Sequence, residues 1–96
     1  MTKEADFQKK VLSWLKKQGC FALKYEQNAT TRAGVADVFF CKEGFYGWIE
    51  CKKAKNSPLR PGQKEFIMKM SEWSYGKIVF PENWEETKKE LTELLK

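Results

Sequence analysis

Val35-Ala-Asp-Val-Phe-Phe-Cys41, Lys42-Glu-Gly44 and Phe45-Tyr-Gly-Trp-Ile-Glu-Cys-Lys-Lys53 follow one another through the middle of the chain. Two apolar runs rich in aromatic and branched residues, joined by a short glycine-containing link, predict a β-hairpin. Alternate residues of a strand face opposite sides, so Glu50 and Lys52 project one way and Ile49 and Cys51 the other. Asp37 opens the first run, and pairing of the two strands brings Asp37, Glu50 and Lys52 to one end of the hairpin. A carboxylate at the mouth of a buried strand costs free energy unless it is paired or bound to a cation. Two carboxylates suit a hard divalent ion, and a lysine beside them can hold or activate a water. Together they point to phosphodiester hydrolysis. The plainer readings are that Asp37 begins its strand at the solvent end, and that Glu50 makes an ion pair with Lys52 or Lys53.

Working outward, Phe7, Val11, Trp14 and Leu15 recur at helical spacing and predict a helix over 3–18 that stops at Gly19, with Glu4 and Gln8 on the edge of its apolar stripe. Residues 20–25 read as a short strand and the polar segment 27–34 as a loop. The hairpin strands are predicted over 35–41 and 45–53. A polar connection with two prolines, 54–62, leads into a helix over 61–72, whose Gln63, Phe66, Ile67 and Met70 share a face. Residues 77–80 form a last strand. Asn83, three residues before Glu86, is placed to cap a final helix over 84–96 with Leu91, Leu94 and Leu95 inward. The order is αβββαβα, a single mixed α/β domain over 1–96 without repeats or linkers. Trp14, Phe39, Phe66 and Phe80 are assigned to the core; Trp73, Tyr75 and Trp84, near a helix junction, suit core packing first and a subunit interface as the alternative.

Composition agrees with a folded domain: 42% of residues are hydrophobic and 15% aromatic. No apolar run reaches the length of a membrane span, and the acidic start Met1-Thr-Lys-Glu-Ala-Asp6 does not read as a secretory signal. Three cysteines, Cys20, Cys41 and Cys51, make no disulfide framework and suit a reducing cytoplasm. Without histidine or a C-x-x-C pair, a structural zinc site is not expected. The net charge of +5 is uneven: residues 1–81 carry +7 and the last 15 carry −2. A basic body points to a polyanionic partner, with nucleic acid the default.

Asp37, Glu50 and Lys52 at this spacing resemble the signature of the PD-(D/E)xK nucleases. The fuller pattern is similar to that of the VRR-NUC group, the virus-type replication and repair nuclease domains. Glu4 falls in the first helix, Lys24 in the next strand, then come Gly34-Val-Ala-Asp37, Glu50-Cys-Lys52 and Gln63. Ala36 stands where that family usually has proline, a change that removes no ligand. The resemblance implies a restriction-endonuclease-like fold, a mixed central sheet flanked by helices. It further implies Mg²⁺ or Mn²⁺ held by Asp37, Glu50 and the Cys51 carbonyl, with Glu4 either a further ligand or a group that supports the ligands. Lys52 would position the attacking water, and Gln63 would orient Lys52 or that water. Lys24, Arg32, Lys53, Lys55, Arg60 and Lys64 are the candidate contacts to DNA phosphates. Small members of the family act as homodimers, a geometry suited to branched DNA such as four-way junctions, in the cytoplasm of a bacterial cell or phage-infected host. The competing expectation is a nuclease fold that binds nucleic acid and no longer cuts.

Overall fold

A computed structural model of the chain describes residues 2–26 and 34–96. The first helix, α1 (Lys3–Lys17), starts where Thr2 Oγ1 accepts a hydrogen bond from Ala5 N at 3.0 Å. Glu4 and Asp6 in the first turn and Lys16 and Lys17 in the last complement the helix dipole. Gly19 then takes a φ of 89°, which an L side chain rarely adopts, and ends the helix.

Three strands follow as an antiparallel meander, β1 (Phe21–Lys24), β2 (Val38–Lys42) and β3 (Phe45–Cys51). Helix α2 (Gln63–Trp73) crosses over to β4 (Gly76–Val79), which pairs parallel to β3. The result is a four-stranded mixed sheet in the order β1-β2-β3-β4. A short 3₁₀ turn, Pro81–Asn83, leads into α3 (Trp84–Leu94). Among the described residues no helix is long and apolar enough to cross a membrane.

Register decides what each face of the sheet carries. Val38 pairs with Ile49, Phe40 with Ala22 and Cys51 with Val79, so these residues share one face. That face meets Phe7, Val11 and Leu15 of α1 and Trp84, Leu91 and Leu95 at α3, in one apolar core. The Trp84 ring stands edge-on to Phe7 and Trp14, with centroids 5.9 and 5.6 Å away. The opposite face carries Phe39, Trp48 and Glu50, and α2 lies over its β3–β4 half, where Phe66 meets Trp48 at 5.2 Å. Lys42 closes the far end, its Nζ donating to Gln18 O at 2.9 Å and Leu95 O at 3.3 Å, at the ends of the two outer helices.

Several boundaries differ from the sequence expectation. The hairpin link is the two residues Glu43 and Gly44, because Lys42 pairs with Phe45. Both link residues have positive φ, 40° and 84°, which matches the twist of the strands they join. The second strand starts at Val38 because the chain bends at Asp37, although Asp37 O still accepts from Tyr25 N at 2.8 Å. The third strand ends at Cys51, with Lys52 N donating on to Val79 O at 2.9 Å. Asn83 does not cap α3 with its side chain: Oδ1 accepts from Phe80 N and Nδ2 donates to Ile78 O, tying the helix start to the end of β4. Trp73 is 66% exposed, since the buried stripe of α2 would continue at residue 74 rather than 73. Leu94 is 46% exposed because Leu91 and Leu95, one turn apart, occupy the core. Tyr75 and Trp84 are buried as expected, whereas Trp14, Phe39, Phe66 and Phe80 are half-buried, Trp14 against the core and Phe39 and Phe66 against Trp48 on the opposite face of the sheet.

Gly76 lets α2 lie directly on β4. A Cβ there would stand 2.6 Å from Ile67 O and 2.9 Å from Ser71 N, backbone atoms that can yield only if the helix shifts. Gly76→Ala is therefore expected to destabilise the protein by about 1–3 kcal/mol through overpacking. Urea unfolding checks this, and an unchanged midpoint would contradict so close a helix–strand contact.

Candidate active site

The bend before β2, the end of β3 and the first half of α1 meet at one end of the sheet. Asp37 lies at their junction. Its Oδ1 accepts from Cys51 N at 3.0 Å and its Oδ2 accepts from Gln8 Nε2 at 2.8 Å. A single carboxylate thus joins the bend to the last residue of β3 and to α1. Glu50, one residue before Cys51, is 1% exposed, and its Oε2 lies 3.3 Å from the Nζ of buried Lys52. Strand alternation puts Glu50 and Lys52 on the same side, as the sequence pattern requires.

The connection between β3 and α2 returns to this junction through a contact between two glycines. Gly34 and Gly62 both have a φ of 86°, and a Cβ on Gly34 would lie 3.1 Å from the carbonyl carbon of Gly62. Only a backbone without side chains approaches so closely in this conformation. The contact brings Arg60 and Gln63 alongside the segment that carries Asp37. Gln63 is fully buried, and its Oε1 accepts from Arg60 N at 2.7 Å.

Burial governs the electrostatics. Removal from water pushes the Asp37 carboxyl up to about 6, and the Glu4 charge adds to this against the hydrogen bonds from Cys51 and Gln8. Burial and the Asp37 charge push Glu50 up to about 7, opposed by Lys52 and Arg60. Two buried polar atoms, Glu50 Oε1 and Gln63 Nε2, have no hydrogen-bond partner among the described residues. Such atoms are rare in folded proteins and call for a ligand or a water.

A cleft of about 270 Å³ opens onto Asp37 between the start of α1 and the end of β1, lined also by Glu4, Gln8, Lys24 and Arg60. Glu50, Lys52 and Gln63 are buried beside it and do not form its wall. The structure pairs Lys52 with Glu50, sets Glu50 near enough to Asp37 to feel its charge, and lines the cleft with both Glu4 and Asp37. Among the described residues no three His, Cys, Asp or Glu side chains stand together as a ready-made metal cage. Gln63 makes its hydrogen bond to the Arg60 amide rather than to Lys52, and Lys52 turns to Glu50, the ion pair that the plainer sequence reading anticipated. Cys51 holds Asp37 through its N–H, while its side chain is buried in the core. Lys53, Lys55, Arg60 and Lys64 are exposed, and Lys24 is exposed beside Glu26 at 3.5 Å. Arg32 lies outside the described residues.

Gln8 is the site residue that sequence reasoning left unassigned. Its spacing to Val11 and Leu15 puts it on the buried stripe of α1, so a polar side chain there needed a partner. Comparisons of the chain with protein-family models, curated proteins and solved structures give no match.

The raised carboxyls set the pH dependence of stability. With folded values of about 6 and about 7, the native state keeps protons that the unfolded chain has already released. Stability should therefore fall as pH rises from the ordinary carboxylate range to about 7, and then level off. Urea unfolding in chelator across this range checks the sign, and Asp37→Asn combined with Glu50→Gln should flatten the curve. A rise in wild-type stability over the same interval would contradict the burial of these groups.

Proposed function

We propose that this chain is a metal-dependent endonuclease that hydrolyses phosphodiester bonds in DNA, with a restriction-endonuclease-like fold. The observation that carries the reading is the placement of two desolvated carboxylates, Asp37 and Glu50, at the ends of adjacent strands with Lys52 against one of them. Charge repulsion between buried carboxylates is unfavourable for stability alone, and a divalent cation relieves it. The unpartnered Glu50 Oε1 is an oxygen donor suited to such an ion. Asp37 and Glu50 would hold Mg²⁺ or Mn²⁺, with the Cys51 carbonyl completing the protein donors and Glu4 supplying a further carboxylate from across the cleft. Ions of this kind stabilise charge on the phosphate and supply a nucleophilic water at neutral pH.

The chain's own groups divide the remaining work. Lys52 brings a cation to the reacting phosphate; one of its three hydrogens is engaged by Glu50, leaving the others for the attacking water or a phosphate oxygen. The oxygen of that water bonds to phosphorus as the water gives up a proton to solvent, the bond from phosphorus to the leaving oxygen breaks, and the leaving oxygen takes up a proton from solvent. Gln63 Nε2, without a partner among the described residues, is a donor with which to orient a water, while its carbonyl steadies the loop through Arg60 N. Lys24 and Arg60 at the cleft, with Lys53, Lys55 and Lys64 on the exposed surface and Arg32 beyond the described residues, provide cations for the DNA backbone. Such contacts position the duplex without reading its sequence and weaken steeply with salt.

The preferred substrate in this reading is branched DNA such as a four-way junction, cut by a homodimer with one active site for each of two strands. Light scattering coupled to size-exclusion chromatography should give the mass of two chains at micromolar protein, and the mass of one chain would remove the dimer.

Cleavage of labelled plain duplex, flap and four-way-junction DNA in Mg²⁺, Mn²⁺ or chelator tests the activity. Cutting should require the ion, and Asp37→Asn and Lys52→Ala should each lower the rate by about 10²–10³-fold, the scale of losing one charge-stabilising group. Wild-type protein that binds every substrate and cuts none would instead be a nucleic-acid-binding module.

A further inference from the structure

A carboxylate attached to one hydrogen-bond donor remains free to turn, because the terminal torsion of an aspartate has a broad, weakly restricted profile. Asp37 is held at both oxygens by donors from separate elements. Cys51 N–H of β3 holds Oδ1 at 3.0 Å, and Gln8 Nε2 of α1 holds Oδ2 at 2.8 Å. Each oxygen can accept at about two positions, so these two bonds do not by themselves exhaust the carboxylate.

Several features make Gln8 more than a satisfied polar residue. It is 8% exposed, which limits its own freedom to reorient. It lies one helical turn from Glu4, and both side chains line the cleft that opens on Asp37. Its amide is neutral. A lysine or arginine here would also hold the carboxylate, but would add a positive charge where a cation has to bind. An amide fixes the orientation and leaves the negative charge of Asp37 for the ion.

We propose that Gln8 is a positioning residue that fixes the rotation of the Asp37 carboxylate for a divalent cation. This rests on the metal-dependent reading of the site. It adds a consequence for ion choice, because Mg²⁺ demands near-ideal octahedral geometry. A loosened Asp37 should weaken Mg²⁺ binding more than Mn²⁺ binding.

The test uses the full chain and the metals themselves. Gln8→Met keeps side-chain length and removes the donor, and Gln8→Ala is a second variant should methionine perturb packing. Circular dichroism and thermal unfolding identify the folded variant. Calorimetric titration with MnCl₂ and MgCl₂, with the spin-resonance signal of bound Mn²⁺, provides a readout independent of DNA cleavage. Loss of Gln8 should raise the Mn²⁺ dissociation constant by roughly 10–100-fold, the range seen when groups orienting a metal ligand are removed. The Mg²⁺ constant should rise further, and the Mn²⁺ signal should broaden. A folded variant that binds both ions as wild type does would overturn the role of Gln8 and leave the nuclease reading intact. Wild-type protein that binds neither ion would overturn both. Wild-type protein that binds Mn²⁺, loses that binding with Gln8 and cuts no DNA would support the role of Gln8 while removing the nuclease activity.

Discussion

The constraint on which this molecule turns is the placement of two acidic side chains, Asp37 half-buried and Glu50 fully buried, at one end of its sheet. Asp37 and Glu50 occupy adjacent strand ends, each raised toward neutrality by burial and, for Glu50, by the charge of its neighbour. Left without partners, either carboxyl would weaken the fold. The surroundings instead supply partners that hold the carboxyls in place: the Cys51 amide, the Gln8 amide and the Lys52 ammonium. That arrangement holds the carboxyl oxygens in place while leaving Glu50 Oε1 without a partner among the described residues.

The topology explains why the constraint falls where it does. An antiparallel meander sets the start of β2 beside the end of β3, so residues far apart in the chain become neighbours. The parallel β4 then requires a crossover, and the crossover returns past the same end of the sheet before α2 begins. The close contact of Gly34 with Gly62 fixes that return path. Helix α1 approaches from the other face, and its buried stripe of Phe7, Val11 and Leu15 secures the position from which Gln8 reaches Asp37. Core packing and site geometry are consequently one problem, because the helix that covers the apolar face also orients the acid.

The other end of the molecule is built on simpler terms. Lys42 satisfies carbonyls at the ends of α1 and α3, which a cation does well at a helix C-terminus. The sheet face away from α1 is covered by α2 only over β3 and β4, leaving Phe21 and Leu23 of β1 exposed. Lys24 and Arg60 line the cleft beside Asp37 together with Glu4 and Glu26, and Lys53, Lys55 and Lys64 are exposed on and after the connection that follows β3.

Much of this was legible in the sequence, since it depends on local periodicity. The αβββαβα order, the hairpin, and the shared side of Glu50 and Lys52 follow from spacings of two and of three to four along the chain. The sequence by itself also singled out Asp37 as an acid within an apolar run. Only the tertiary structure decided that Gln8 holds Asp37, that Gln63 turns to the Arg60 amide, that Asn83 reaches back to β4, and that Trp73 faces solvent. These depend on which of several chemically equivalent partners lies within about 3 Å once the elements pack. Periodicity specifies the face on which a side chain stands; its partner is set by the register and approach of another element.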